Sequence, residues 1–206
     1  LSDAYLRTLR ALGTYVTEVR LVGVVASGDL PSTWLATNKQ LVSIAIVHTT
    51  LGGTLQLPRT WLAIPNGAVR VVVKHNLFDT VDFGAVQPTH VDLSYNLLTG
   101  SMLRYVARAS MQRAVDVQLN GNLLNGTLHG FTLPSLTSCK LQNTVPHLIT
   151  NRLECETACT STDIIHSAGL CLQTATVGNT TCSYWCQKGA GERVQNVRAS
   201  PCLFSS

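Results

Sequence analysis

The feature that most constrains this chain is a repeated pattern of apolar residues, asparagine and glycine. It is clearest over residues 88–102, where apolar side chains take the fourth, sixth, eleventh and fifteenth places. Asn96 takes the ninth place and Gly100 the thirteenth. The pattern is L-x-x-L-x-L-x-x-N-x-L-x-G, in which a short strand is followed by a sharp turn. Because neighbouring segments carry it in register, we predict a stack of coils.

Six coils are predicted, of which the last is degraded. Their starting residues lie 20 to 27 residues apart and are Val16, Leu41, Ala68, Pro88, Ala114 and Leu136. Apolar residues at places four and six alternate along a strand and should enter the core. An asparagine at place nine can bond backbone groups of adjacent coils that would otherwise be buried unpaired. Coils one and two depart from the pattern with Val24 and Thr49 there, and coil three has Thr80 in place of glycine.

The ending of coil one, Gly28-Asp29-Leu30-Pro31 with Trp34 close behind, resembles that of leucine-rich-repeat proteins. It is similar to the plant-type extracellular repeats and to the repeat surface antigens of trypanosomatid and related flagellates. The likeness covers roughly residues 16–145. It implies an α/β solenoid, an irregular leucine-rich-repeat stack with short parallel strands on its concave face. It also implies a secreted or surface-displayed recognition protein. Apolar residues at helical spacing predict a convex helix over residues 102–114.

We predict three parts: an N-terminal cap or the end of a preceding repeat at 1–15, the repeats at 16–145, and a cysteine-rich cap at 146–206. Such a cap covers the apolar core that the last coil of a solenoid exposes. Residues 1–138 contain no cysteine, and we expect disulfides among six that crowd the cap: Cys155, Cys159, Cys171, Cys182, Cys186 and Cys202. Cys139 is either an odd thiol or pairs into the cap.

The pairs Cys155/Cys159 and Cys182/Cys186 have the spacing that places two side chains on one helix face. They suit a disulfide-stapled helical hairpin or, alternatively, a zinc site. The sequons at Asn125 and Asn179 predict glycosylation and favour disulfides. We therefore expect an extracellular or cell-surface location.

Composition and motifs exclude several function classes. The net charge of +4 is spread over single Arg and Lys residues, so we expect no nucleic-acid partner. No apolar run reaches the roughly 18 residues that a membrane span needs, so membrane contact is expected only through an anchor outside this fragment. The sequence lacks the G-x-S-x-G, phosphate-loop and H-E-x-x-H motifs. We predict a protein that is not an enzyme and carries no cofactor or metal.

Strand residues that do not enter the core should form columns along the concave face. We predict ligand binding there by nine of them: Arg70, Lys74, His75, His90, Asp92, Tyr95, Asp116, Gln118 and Asn120. His48, His75 and His90 could lie close together on that face, and we interpret them as an exposed cluster without metal. The ligand would be a protein or a glycan. Two alternatives remain open: a structural surface-coat glycoprotein without a specific ligand, and an intracellular scaffold with a zinc-bound cap.

Overall fold

A computed structural model describes residues 16–30, 34, 40–57, 69–84, 86–106, 109–128, 133–142, 150–154, 170–177 and 180–187. The strands are β1 (Glu18–Val22), β2 (Ser27–Asp29), β3 (Ser43–Val47), β4 (Thr50–Gln56), β5 (Arg70–Lys74), β6 (Leu77–Asp82), β7 (His90–Asp92), β8 (Thr99–Ser101), β9 (Asp116–Gln118), β10 (Leu123–Gly126), β11 (Ser138–Lys140), β12 (Arg152–Glu154), β13 (Leu170–Val177) and β14 (Thr180–Gln187). The helices are α1 (Leu103–Val106) and a 3-10 helix (Ala109–Met111). The proposed N-terminal part, 1–15, lies outside the described residues.

One strand from each coil contributes to a six-stranded parallel sheet, in the order β1-β3-β5-β7-β9-β11. Its register joins the same place of successive coils: Val19 pairs with Ile44, and Ile44 pairs with Val71. The residues at places four and six are buried in all five clear coils, because alternate side chains of a strand point to one face. The repeat architecture predicted from the sequence is therefore confirmed.

A second parallel layer follows the turn in each coil. In the first three coils it is the sheet β2-β4-β6, and in the later coils β8, β10 and β12 belong to a five-stranded sheet completed by β14 and β13. Apolar residues from both layers join a single buried cluster that runs from Val19 to Cys186. The core is thus the space between the two layers.

The predicted α/β solenoid is wrong, because the chain forms a β-solenoid. In the part of the chain that the structure describes, helix is limited to α1 and the 3-10 helix. The segment after the asparagine place extends as a second strand. The coil starting at Ala68 uses five residues in β5 and six in β6, which leaves little chain for a helix before Pro88. No helix among the described residues is long and apolar enough to cross a membrane.

Buried asparagines tie adjacent coils together at the predicted ninth place. The Nδ2 of Asn122 donates to the carbonyls of Leu93 and Leu119, both at 2.9 Å, and its Oδ1 accepts from the Leu98 amide at 3.1 Å. Asn76 makes equivalent bonds to coil two, where its Oδ1 accepts from the backbone amide and hydroxyl of Thr49. These bonds satisfy backbone groups at the turn that the core removes from water.

The series of buried asparagines ends at Asn151, whose Oδ1 accepts from the Leu124 amide at 2.9 Å. Its Nδ2 donates to the carbonyls of Leu119 and Leu141, at 2.9 and 2.7 Å. Counting nine places from Leu136 does not reach Asn151, because residues 143–149 lie between β11, the last strand of the six-stranded sheet, and this asparagine. The sequence pattern therefore missed it.

The C-terminal hairpin closes the stack. Strand β14 pairs in parallel with β12 through Leu153 and Cys186, and antiparallel with β13. Gln142 also fixes β14: its Nε2 donates to the Trp185 carbonyl at 2.7 Å, and its Oε1 accepts from the Trp185 amide at 2.6 Å. Val177, Cys182 and Tyr184 thereby enter the solenoid core.

A disulfide bond joins Cys139 of β11 to Cys182 of β14, so Cys139 pairs into the cap. Cys186 is also disulfide-bonded. The expectation of a disulfide bond is thus confirmed, but the helical placement of Cys182 and Cys186 is wrong, since both lie in β14. Thr, Tyr and Trp around them favour a strand over a helix. Five predicted sites lie outside the described residues: the side chain of Cys171, and Cys155, Cys159, Cys202 and Asn179.

Candidate functional site

The outward side of the six-stranded sheet carries two columns of side chains, which we call the ladder face. Register places each residue beside its counterpart in the next coil. The first column is Glu18, Ser43, Arg70, His90, Asp116 and Ser138, and the second is Arg20, Ala45, Val72, Asp92, Gln118 and Lys140. Strands in a sheet lie about 4.8 Å apart, so the columns form a continuous patterned surface.

Polar contacts along the ladder face link side chains within and between coils. The Ser43 hydroxyl donates to Glu18 Oε1 at 3.4 Å, and the Gln118 amide donates to Asp116 Oδ2 at 3.3 Å. The Nδ1 of His90 lies 3.0 Å from the Thr89 hydroxyl. Arg70 is exposed at the centre of the first column. The surface therefore offers a cation, an imidazole and a carboxylate in neighbouring coils.

Asp92 has mainly a positioning role. Its Oδ1 accepts from the Ser94 amide at 3.1 Å and from the Ser94 hydroxyl at 2.5 Å. Its Oδ2 lies 3.6 Å from Lys74 Nζ in an ion pair, with only 14% of the Asp92 side chain exposed. Asp92 thus holds the turn after β7 and the Lys74 ammonium group.

Three aromatic rings stack at the turn where the six-stranded sheet ends. The ring centroids of His48 and His75 are 4.3 Å apart with planes 16° apart, and those of His75 and Tyr95 are 4.4 Å and 7° apart. All three residues occupy the eighth place of their coils. We call them the ring column. Its spacing follows from the separation of the strands that carry it.

The backbone of the ring column is left-handed. His48, His75 and Tyr95 have φ values of 53°, 55° and 56°. The eighth place in coils one and five is glycine, Gly23 and Gly121, with φ of 63° and 73°. Such a conformation is uncommon for residues other than glycine and marks a constrained turn. The eighth place reads Gly, His, His, Tyr and Gly in coils one to five. The two glycines at this place were the sequence signal for the turn.

The surroundings of the His75 imidazole disfavour its protonated form. Burial lowers its pKa below the ordinary value of 6.5, and the neighbouring His48 and Lys74 lower it further, against the opposing effect of Asp92. Desolvation and like charges both disfavour the protonated ring. The geometry therefore favours neutral His75 in the stack.

The nine predicted ligand-binding residues do not form one group. Lys74, His75, Asp92 and Tyr95 lie together at the turn, whereas Arg70, His90, Asp116 and Gln118 lie along the strands. Asn120 is only 1% exposed, so its predicted place on the binding face is wrong. The predicted proximity of three histidines is also wrong. His90 begins β7, whereas His48 and His75 follow the ends of parallel strands β3 and β5.

Among the described residues, no three His, Cys, Asp or Glu side chains are grouped as a metal ion would require. Asn125, the first predicted glycosylation site, is exposed in β10. No family model, curated protein or solved structure matches this chain. The functional interpretation therefore rests on the geometry above.

Proposed function

We propose that this is a non-catalytic recognition protein, acting outside the cell or at its surface, that binds a protein or glycan ligand through the ladder face. The observation that carries the proposal is the first column of the ladder face, in which each of six aligned strands contributes a polar side chain. A parallel sheet with an asparagine-bonded core holds these groups at fixed spacing, and preorganised groups lose little entropy on binding. Arg70, which is exposed on the ladder face, is of a residue type that anchors interfaces.

We also propose that the coils are of the leucine-rich-repeat class. Its support is the bonding of Asn76, Asn122 and Asn151, each of which joins its own coil to the one before. This bonding gives the repeated asparagine the physical role that the pattern requires.

The extracellular location is supported by the disulfide between Cys139 and Cys182, since such bonds persist in oxidising compartments. The alternative of a zinc-bound intracellular cap needs Cys182 and Cys186 as thiolates, whereas both are in disulfides. The alternative of a surface-coat glycoprotein is supported by exposed Asn125 alone.

Site-specific photo-crosslinking tests the proposed function. A photoreactive amino acid would replace Gln118 on the ladder face or, as a matched control, exposed Thr54 in β4. The tagged protein would then be applied to intact cells. We expect a discrete crosslinked partner from position 118 and none from position 54. The same crosslinked products from both positions would favour the coat alternative. So would the absence of products from both positions when the protein is abundant on the cell surface.

A further inference from the structure

The ring column spans coils two to four, and glycine takes the same place in the coil on either side, Gly23 and Gly121. In coil five, Tyr95 covers Gly121: a Cβ built on that glycine would lie 2.5 Å from the Tyr95 ring. In coil one, apart from Gly23 and its two chain neighbours, no atom of the described residues lies within 4 Å of a Cβ built on Gly23. Gly23 is exposed, and its amide donates to the Val47 carbonyl at 2.9 Å. This bond holds Gly23 beside the turn that carries His48. The column therefore has one filled end and one open end.

We propose that the open place above Gly23, against the outer face of His48, is a binding slot for an aromatic side chain of a protein ligand. This inference rests on the proposed function and specifies part of the ligand. A guest ring would take the place that a fourth ring of the column would occupy. Parallel rings at such separations attract one another beyond their area of burial.

The rim of the slot favours an aromatic ring over a sugar. Val22 and Val25, on either side of Gly23, are 53% and 100% exposed. The valine side chains offer a sugar's hydroxyl groups no hydrogen-bond partner, whereas they can bury part of an aromatic ring. An aromatic ring needs no such partners, and the pair His75–Tyr95 provides an example of the same contact within the chain.

Ring-current shifts of the histidine protons provide a direct test without a natural ligand. Protein labelled at histidine would be titrated with N-acetyl-tyrosine amide and, in parallel, with methyl glucoside. We expect a saturable upfield shift of the His48 ring protons with the tyrosine amide in the millimolar range, and little change with the glucoside. A shift caused by the glucoside alone, or by neither probe, would overturn the proposal.

Two variants of Gly23 separate filling of the slot from disturbance of the turn. Gly23→Tyr supplies a ring at a left-handed position of the kind that Tyr95 already occupies, and should abolish the probe-induced shift. Gly23→Asn tolerates the same backbone without a ring and should keep most of the shift. A shift unchanged in Gly23→Tyr, with the His75–Tyr95 stack intact, would contradict the slot.

These experiments use no ladder-face partner, so they can fail independently of the proposed function. Loss of the probe shift would remove only the aromatic slot. Conversely, a partner that binds without using the ladder face would remove the proposed function and leave the small-molecule result unchanged.

Discussion

The amide of Asn122 donates to the carbonyl of Leu93 across the boundary between two coils, at 2.9 Å. The same side chain also bonds Leu119 and Leu98, all in the buried turn. One residue therefore satisfies three backbone groups that belong to two coils. Such asparagines stabilise the boundaries between coils in addition to the apolar core.

Asn122→Ala should lower the free energy of unfolding by about 3 kcal/mol, since a buried polar group left without its partner costs about 1–3 kcal/mol. Urea denaturation of protein from a bacterial host measures this. The control is Asn125→Ala, three residues along and exposed, which should change stability by no more than about 0.5 kcal/mol. Equal effects of the two substitutions would contradict the role of the buried asparagine.

Replacing Cys139 and Cys182 together by Ala should lower stability by about 2–4 kcal/mol, because the bond closes a long loop of the unfolded chain. Hydrogen exchange should accelerate first in β13 and β14, which the bond holds over the end of the core. Ser183→Ala, at an exposed neighbouring position, is the control. Unchanged protection of the hairpin in the double alanine variant would contradict this role of the Cys139–Cys182 bond.

Stability should rise with pH in the range below 6.5 because of His75. Its folded-state pKa is lowered, so between that value and 6.5 the unfolded chain binds more protons than the folded chain. Acid therefore favours unfolding, and this dependence of stability on pH disappears above 6.5, where His75 is neutral in both states. Denaturant titrations of the wild type and His75→Gln from about pH 5 to 7.5 measure it.

The His75→Gln variant should show a shallower rise than the wild type. A wild-type stability that falls as pH rises through this window would refute the assignment. So would an identical slope in the His75→Gln variant.

Asn125 should carry a glycan when the protein is secreted from a eukaryotic host, since its side chain is exposed in β10. Intact mass before and after N-glycan removal would detect it, and Asn125→Gln should eliminate one glycan. Thr127→Ala is the matched control, because it destroys the same sequon and should give the same loss. Secreted protein with an unmodified Asn125 would count against the extracellular proposal.

The sequence predicted the core and its register well, because the apolar pattern is local. Val71 and Val73 enter the core for the same reason as Val117 and Leu119: each pair alternates along a strand. The residues at places eleven and thirteen were also assigned correctly, but the second strand of each coil was not predicted. The helix predicted over residues 102–114 is represented, among the described residues, by α1 and the 3-10 helix.

The ring column was harder to predict, because it depends on contacts between coils. His48 and His75 are 27 residues apart in sequence and meet only when their strands align. His90 has the same chemistry but lies at the opposite end of its strand. A prediction from residue type grouped all three histidines, whereas the left-handed turn selects two of them and adds Tyr95. The glycines at the same place in coils one and five were the only local sign.

Affinity for the crosslinked partner is the most direct test of the ladder face as a recognition surface. The triple variant Arg70→Ala, His90→Ala, Gln118→Ala would be compared by calorimetry with the control Thr54→Ala, Gln56→Ala, Thr99→Ala, which changes exposed side chains in the second layer. Asp92 is left intact because it holds the turn. We predict a loss of about a hundredfold for the first, since a few anchors carry most binding energy, and less than about twofold for the second. Unchanged affinity of the first variant, with its fold intact, would contradict the account.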